Sequence, residues 1–139
     1  MPETQATPIT QCRSIAPQFA VPDVVTAAEY YRDALGFRIC GYFGDPPVFA
    51  MVARDQVEIQ FGRLDPGSGA SPNVTRREDG LDAYIWVYDV DVLHAELQER
   101  GARILEGPAT RAYQCYELLV EDIFGFRLVF AVDLASRSR

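Results

Sequence analysis

The chain has 139 residues, 48% of them hydrophobic, and a formal net charge of −7. Such an acidic balance excludes nucleic-acid phosphate as a partner, and no apolar run approaches the roughly 20 residues that a membrane span needs. The apolar content is that of a globular chain, one compact domain or two small halves sharing a core, and not of a disordered one.

Residues 1–14 are polar, hold two prolines and are expected to form a flexible N-terminal segment. A first strand is expected over 15–21. Asp23 then stands where a helix N-cap belongs, and Val24, Ala27, Ala28, Tyr31 and Leu35 follow at the spacing of a helix with one buried face. This predicts a helix near 24–35, closed by Gly36. Three strand-like runs come next, near 37–43, 48–53 and 56–61. Gly44-Asp45-Pro46-Pro47 and Arg54-Asp55 supply their turns. Residues 62–80 are rich in Gly, Pro, Ser and charge. They read as a linker loop, long enough to serve also as a flap or partner-contacting segment. The second half repeats the plan: a strand over 82–88, Asp89 as N-cap, a helix near 90–100 with Val90, Leu93 and Leu97 on one face, and Gly101 to end it. Strands are expected near 102–106, 114–121 and 126–132, with Asp122-Ile123-Phe124-Gly125 as the last turn and a disordered tail.

The two halves carry one pattern. Residues 17–39 and 83–104 each show an apolar strand ending in Val-x-Asp-Val, a helical stretch, a glycine and an Arg-Ile pair that resumes an extended run. Two copies of one β-α-β-β-β unit explain the match. The fold class is therefore α+β: a first module over 15–61, the linker over 62–80 and a second module over 82–132, with mixed sheets cupped around a shared site.

Side chains alternate along a strand, so parity assigns faces. The aliphatic set, with Phe19, Val21, Ile59, Phe61, Ile85, Val87, Leu128 and Phe130, should pack under the helices. The opposite face then receives Gln18, Glu58, Gln60, Asp82, Tyr84, Trp86, Tyr88 and Arg127, with Ala16, Ala20, Val129 and Ala131. Aromatic walls with a few polar groups are what a small-molecule pocket contains. Tyr84, Trp86 and Tyr88 could form a stacking wall for a planar or cationic ligand, or pack against a facing sheet or dimer partner. Asp82 and Glu58 could pair for acid–base work or a hard cation, or be a strand-end aspartate and a sheet-face glutamate. His94, the one histidine, falls inside the second helix and reads as a helix-surface residue. Cys12, Cys40 and Cys115 lack C-x-x-C spacing and read as reduced thiols. With no signal-peptide pattern at the N-terminus, a cytoplasmic location is expected.

The repeat, the string D-V-x-x-A-x-x-Y-Y-x-x-x-L-G-F at 23–37 and the segment E-D-I-F-G-F-R-L at 121–128 together resemble the vicinal oxygen chelate superfamily. That group holds glyoxalases, bleomycin resistance proteins and extradiol dioxygenases. The resemblance covers about residues 15–132 and lies nearest the bleomycin-resistance branch. It implies two β-α-β-β-β modules, usually in homodimers, with ligands held in clefts at the dimer interface. In metal-using members one ligand lies at the start of each module's first strand and one in each last strand. Those positions fall on Ala16, Asp82, Glu58 or Gln60, and Val129. Ala16 and Val129 have no ligating atom, so neither metal nor cofactor is expected.

The resulting expectation is a metal-independent homodimer that sequesters an aromatic or cationic small molecule. The residues expected to bind it are Gln18, Glu58, Gln60, Asp82, Tyr84, Trp86, Tyr88 and Arg127, and none is assigned a catalytic role. The alternative is a lyase or oxidoreductase of the same superfamily with a degenerate or absent metal site.

Overall fold

Each long helix begins on an aspartate and ends on a glycine, for local reasons. In the computed structural model, which describes residues 6–135, Asp23 Oδ1 accepts from the amides of Val25 and Thr26 at 3.0 and 3.2 Å. Asp89 Oδ1 likewise accepts from Val92 N at 3.0 Å. These bonds occupy amides that have no partner within the helix. Gly36 and Gly101 close the helices in the left-handed region, at φ 73° and 81°.

Two sheets carry the fold. In the first module β1 (Gln18–Val21) leads to α1 (Val24–Leu35), then β2 (Arg38–Phe43), β3 (Phe49–Arg54) and β4 (Val57–Arg63). The second repeats this as β5 (Ala83–Trp86), α2 (Val90–Arg100), β6 (Arg103–Thr110), β7 (Cys115–Glu121) and β8 (Arg127–Asp133). The strand orders are β1-β4-β3-β2 and β5-β8-β7-β6, with the first and last strand of each module parallel and the other pairs antiparallel. The linker holds a single 3-10 turn at Asn73–Thr75. The expected first strand is shorter than read: its ladder starts at Gln18, opposite Gln60. The strand expected over 82–88 ends at Trp86. Residues 6–17 form no regular element, and Ile9 and Ile15 on them are 94% and 86% exposed. The expectations for residues 1–5 and for the tail at 136–139 fall outside the described residues.

One core joins the modules through their helix-bearing faces. Phe19, Val21, Ile59 and Phe61 of the first and Ile85, Leu128 and Phe130 of the second are buried in it, as parity predicts. Phe19 stacks on Phe126 across the junction, with ring centroids 4.6 Å apart. Fully buried Tyr31 of α1 donates from its hydroxyl to Asp122 Oδ2 in the β7–β8 turn at 2.8 Å. Arg54 clasps Glu96 of α2 with two bonds, at 2.7 and 2.9 Å. The sheet faces away from the helices stay open: Gln18, Phe43, Tyr84 and Trp86 are all exposed.

Candidate functional site

On the open face of the second sheet, Tyr84 and Trp86 sit two residues apart on β5 and meet edge to face, with ring centroids 5.0 Å apart and planes at 66°. They are 36% and 46% exposed. Opposite them in the ladder are Val129 and Ala131 of β8, themselves flanked by Leu119 and Glu117 of β7. The wall therefore has a dry apolar floor, since Val129 and Ala131 are both buried.

Glu117 organises this face. Its carboxylate is 5% exposed. Its Oε2 accepts from the hydroxyls of Tyr84 and Tyr113, at 2.5 Å each, and its Oε1 from Arg111 Nε at 3.2 Å. Arg111 also pairs with Glu106 at 2.9 Å. Burial first, and then the bond to Glu117, hold the Tyr84 phenol far above its ordinary range and push Tyr113 up to about 12. Both phenols stay protonated and keep donating to the glutamate.

The expected site residues divide into three groups. Gln18, Gln60 and Glu58 form a chain on the first sheet's open face: Gln18 Nε2 donates to Gln60 Oε1 at 3.3 Å, and Gln60 Nε2 to Glu58 Oε2 at 2.9 Å. Tyr84 and Trp86 form the wall just described. The remaining three are placed otherwise. Tyr88 lies past the end of β5 with its side chain fully exposed. Asp82 has both carboxylate oxygens engaged by backbone amides, Oδ1 by Asn73 at 2.9 Å and Oδ2 by Arg127 at 2.8 Å. It pins the linker to the start of β8. Arg127 pairs with Glu121 at 3.2 Å.

Sequence reasoning missed Glu117, Tyr113 and Arg111. Parity held the signal for Glu117, because buried Leu118 and Val120 put the intervening odd positions on the open face. Tyr113 and Arg111 lie at the β6–β7 turn, where no period operates.

A metal does not suit these residues. Val129 and Ala16 bring no donor atom, Asp82 is spent on amides, and among the described residues no three His, Cys, Asp or Glu side chains gather as a ligand set.

A cavity of about 890 Å³ lies elsewhere, between the modules, where the β3–β4 turn at Arg54–Val57 faces β5 and the start of α2. Trp86 and Tyr88 border it, whereas Tyr84, Gln60 and Glu58 do not. The cavity and the aromatic wall thus share the indole as a common edge.

Among solved structures, the chain is similar to TioX from Micromonospora sp. ML1 at 17% identity and a TM-score of 0.69, covering 88% of this chain and all of that one. It is similar to TnmS3, an antibiotic binding protein from Streptomyces sp. CB03234, at 22% identity and a TM-score of 0.64, covering 89% of this chain and 99% of that one. A glyoxalase/bleomycin resistance protein/dioxygenase from Nocardioides aligns at 14% identity and a TM-score of 0.67, over 94% of this chain and 89% of that one. No curated protein matches the sequence. The family model of the Glyoxalase/Bleomycin resistance protein/Dioxygenase superfamily matches residues 13–130, and the chain belongs to that superfamily.

Proposed function

We propose that the protein is a dimeric, metal-independent binding protein of the bleomycin-resistance type, sequestering a planar aromatic or cationic small molecule against Tyr84 and Trp86. The observation that carries this reading is the half-exposed Tyr84–Trp86 pair over an apolar floor, with the Tyr84 hydroxyl held by a buried carboxylate. Such a wall offers ring faces for stacking and cation–π contact. The likeness to an antibiotic binding protein supports a binding role, and the net charge of −7 favours a cation. Gln18, Gln60 and Glu58 on the first sheet's open face are the polar counterpart that a second copy would bring against the wall in a two-fold dimer. The exposed thiols of Cys12 and Cys40 suit a reducing cytoplasm.

The test is a thermal-shift screen of planar aromatic cations, because a ligand of the folded state raises its stability by mass action. Hits are then titrated while following the emission of Trp86, the sole tryptophan. Hits should quench that emission and lose affinity in Trp86→Ala. Compounds that stabilise the protein, leave the indole emission unchanged and bind Trp86→Ala equally well would remove the wall from the site.

A further inference from the structure

The groove between the modules lies apart from the polar and aromatic face of the wall, and its lining has a chemistry of its own. Its floor is Phe37, Ile85, Leu93 and Phe130, all buried. Val57 of the β3–β4 turn stands on one side and exposed Val92 of α2 on the other. Four carboxylates line the groove against one guanidinium, that of Arg54, and Glu96 already clasps that cation. Asp55 belongs to the turn, and Asp89 to the far side where α2 begins. Asp89 spends Oδ1 on the amide of Val92, which leaves Oδ2 for a ligand. At about 890 Å³ the space falls among the cavities of roughly 300–1,000 Å³ that hold small organic molecules. It is too large for a single ion, and among the described residues no three His, Cys, Asp or Glu side chains gather as a metal would need.

We propose that this groove is a second binding site and that its ligand is an amphipathic amine, an alkyl chain carrying a protonated ammonium. The chain lies along the floor and leaves water there. The ammonium sits between Asp55 and Asp89, with the rings of Trp86 and Tyr88 at the border for cation–π contact. Charge and floor together select this class. An anion would meet four carboxylates, a neutral chain would gain the floor alone, and an inorganic cation the rim alone. The site needs neither the aromatic wall nor a dimer. Because Trp86 borders both places, an occupant of the groove also alters the indole emission, so emission by itself does not tell the two sites apart.

The experiment therefore locates the ligand directly. The full chain, isotopically labelled at its Ile, Leu and Val methyl groups, is titrated with n-decylammonium chloride below the micelle concentration. A single decylammonium per chain should bind, with nuclear Overhauser effects from its alkyl chain to the methyls of Val57, Ile85 and Leu93. In calorimetry 1-decanol and decanoate should bind about tenfold more weakly, since neither is attracted by the rim. Asp55→Asn with Asp89→Asn should weaken decylammonium about fivefold and leave decanol unchanged. The fold is not at stake, because asparagine caps a helix as aspartate does and tolerates the left-handed backbone of Asp55, at φ 52°. Overhauser effects to Val129 and Leu119 instead, at the floor of the aromatic wall, would overturn the groove and leave the wall standing. Equal affinities for the three decyl compounds, an unchanged affinity in the double variant, or no saturable binding would overturn it as well. A planar aromatic cation that reaches neither Val129 nor Leu119 would strike the proposed function alone.

Discussion

Trp86 and Ile85 are neighbours on one strand with opposite surroundings, and substitution separates them. Trp86 is 46% exposed and Ile85 7%. Trp86→Ala should therefore keep the fold and weaken binding of a planar cation by about 1–3 kcal/mol, the range for one lost stacking partner. Ile85→Ala should instead cost about 2–5 kcal/mol of stability, because it leaves a hole in the shared core. If Trp86→Ala unfolds the chain while Ile85→Ala changes only affinity, the wall belongs to the core. A second expectation concerns Glu117. In Glu117→Gln the negative charge beside the phenols is gone, so the Tyr113 ionisation, now pushed up to about 12, should move down towards ordinary tyrosine. It should remain somewhat elevated, since burial is the leading cause. A spectrophotometric tyrosine titration that matches wild type would mean that Glu117 does not set these groups. Parity alone places Trp86 and Tyr84 on the open face, because alternation on a half-buried strand is written in the residues themselves. The partners of Asp82 are not legible in this way: they are the amides of Asn73 and Arg127, and an amide has no residue type to recognise.

Elements whose causes are local were the most legible. Both helices lie where their aspartate caps, apolar spacing and terminal glycines put them, since cap and period act within a few residues. Strand ends are set by partners instead. Residues 15–17 read as strand, yet β1 begins only where Gln18 meets Gln60. In β6 the ladder runs on to Thr110 through two shifts of register that no alternation announces. The two closing glycines look equivalent in sequence and are not equivalent in space. A methyl group at Gly101 would meet nothing within 4 Å, whereas one at Gly36 would lie 2.6 Å from Arg54 Nη1 and 2.8 Å from Glu96 Oε2. Both substitutions incur about 1 kcal/mol for a left-handed residue with a side chain. Gly36→Ala should cost more, because it also pushes apart the Arg54–Glu96 clasp between the modules. Thermal melts of Gly36→Ala and Gly101→Ala decide this, and equal losses would mean that the clasp yields without cost.

At the scale of the whole molecule, the repeat made the two modules legible but not the way they dock. The joint depends on contacts such as Tyr31 to Asp122, 91 residues apart, and sequence periodicity carries no trace of a bond between unlike positions of two repeats. That bond has a pH signature. Asp122 is 2% exposed, and burial raises its carboxyl above the ordinary 3.8, against the opposing bonds from Tyr31 and the amides of Phe124 and Phe126. Between 3.8 and the raised value the folded chain holds a proton that the unfolded chain has released. The contribution is therefore complete below 3.8 and is lost as pH climbs through the raised value. Asp23 and Glu96 behave in the opposite sense: their carboxyls are lowered, Asp23 chiefly by the Thr26 amide and Glu96 chiefly by Arg54. Their contributions are present above the unfolded values and are lost as pH falls. The separable quantity is the stability of wild type minus that of Asp122→Asn, measured by urea unfolding across the acid range. It should decline as pH rises from about 3.8 and then level off, because asparagine does not titrate. In a Tyr31→Phe background, which removes one bond to the ionised carboxylate, the decline should extend to higher pH. A difference that stays constant, or grows with pH, would mean that Asp122 is charged throughout and that the modules are joined across a buried anion.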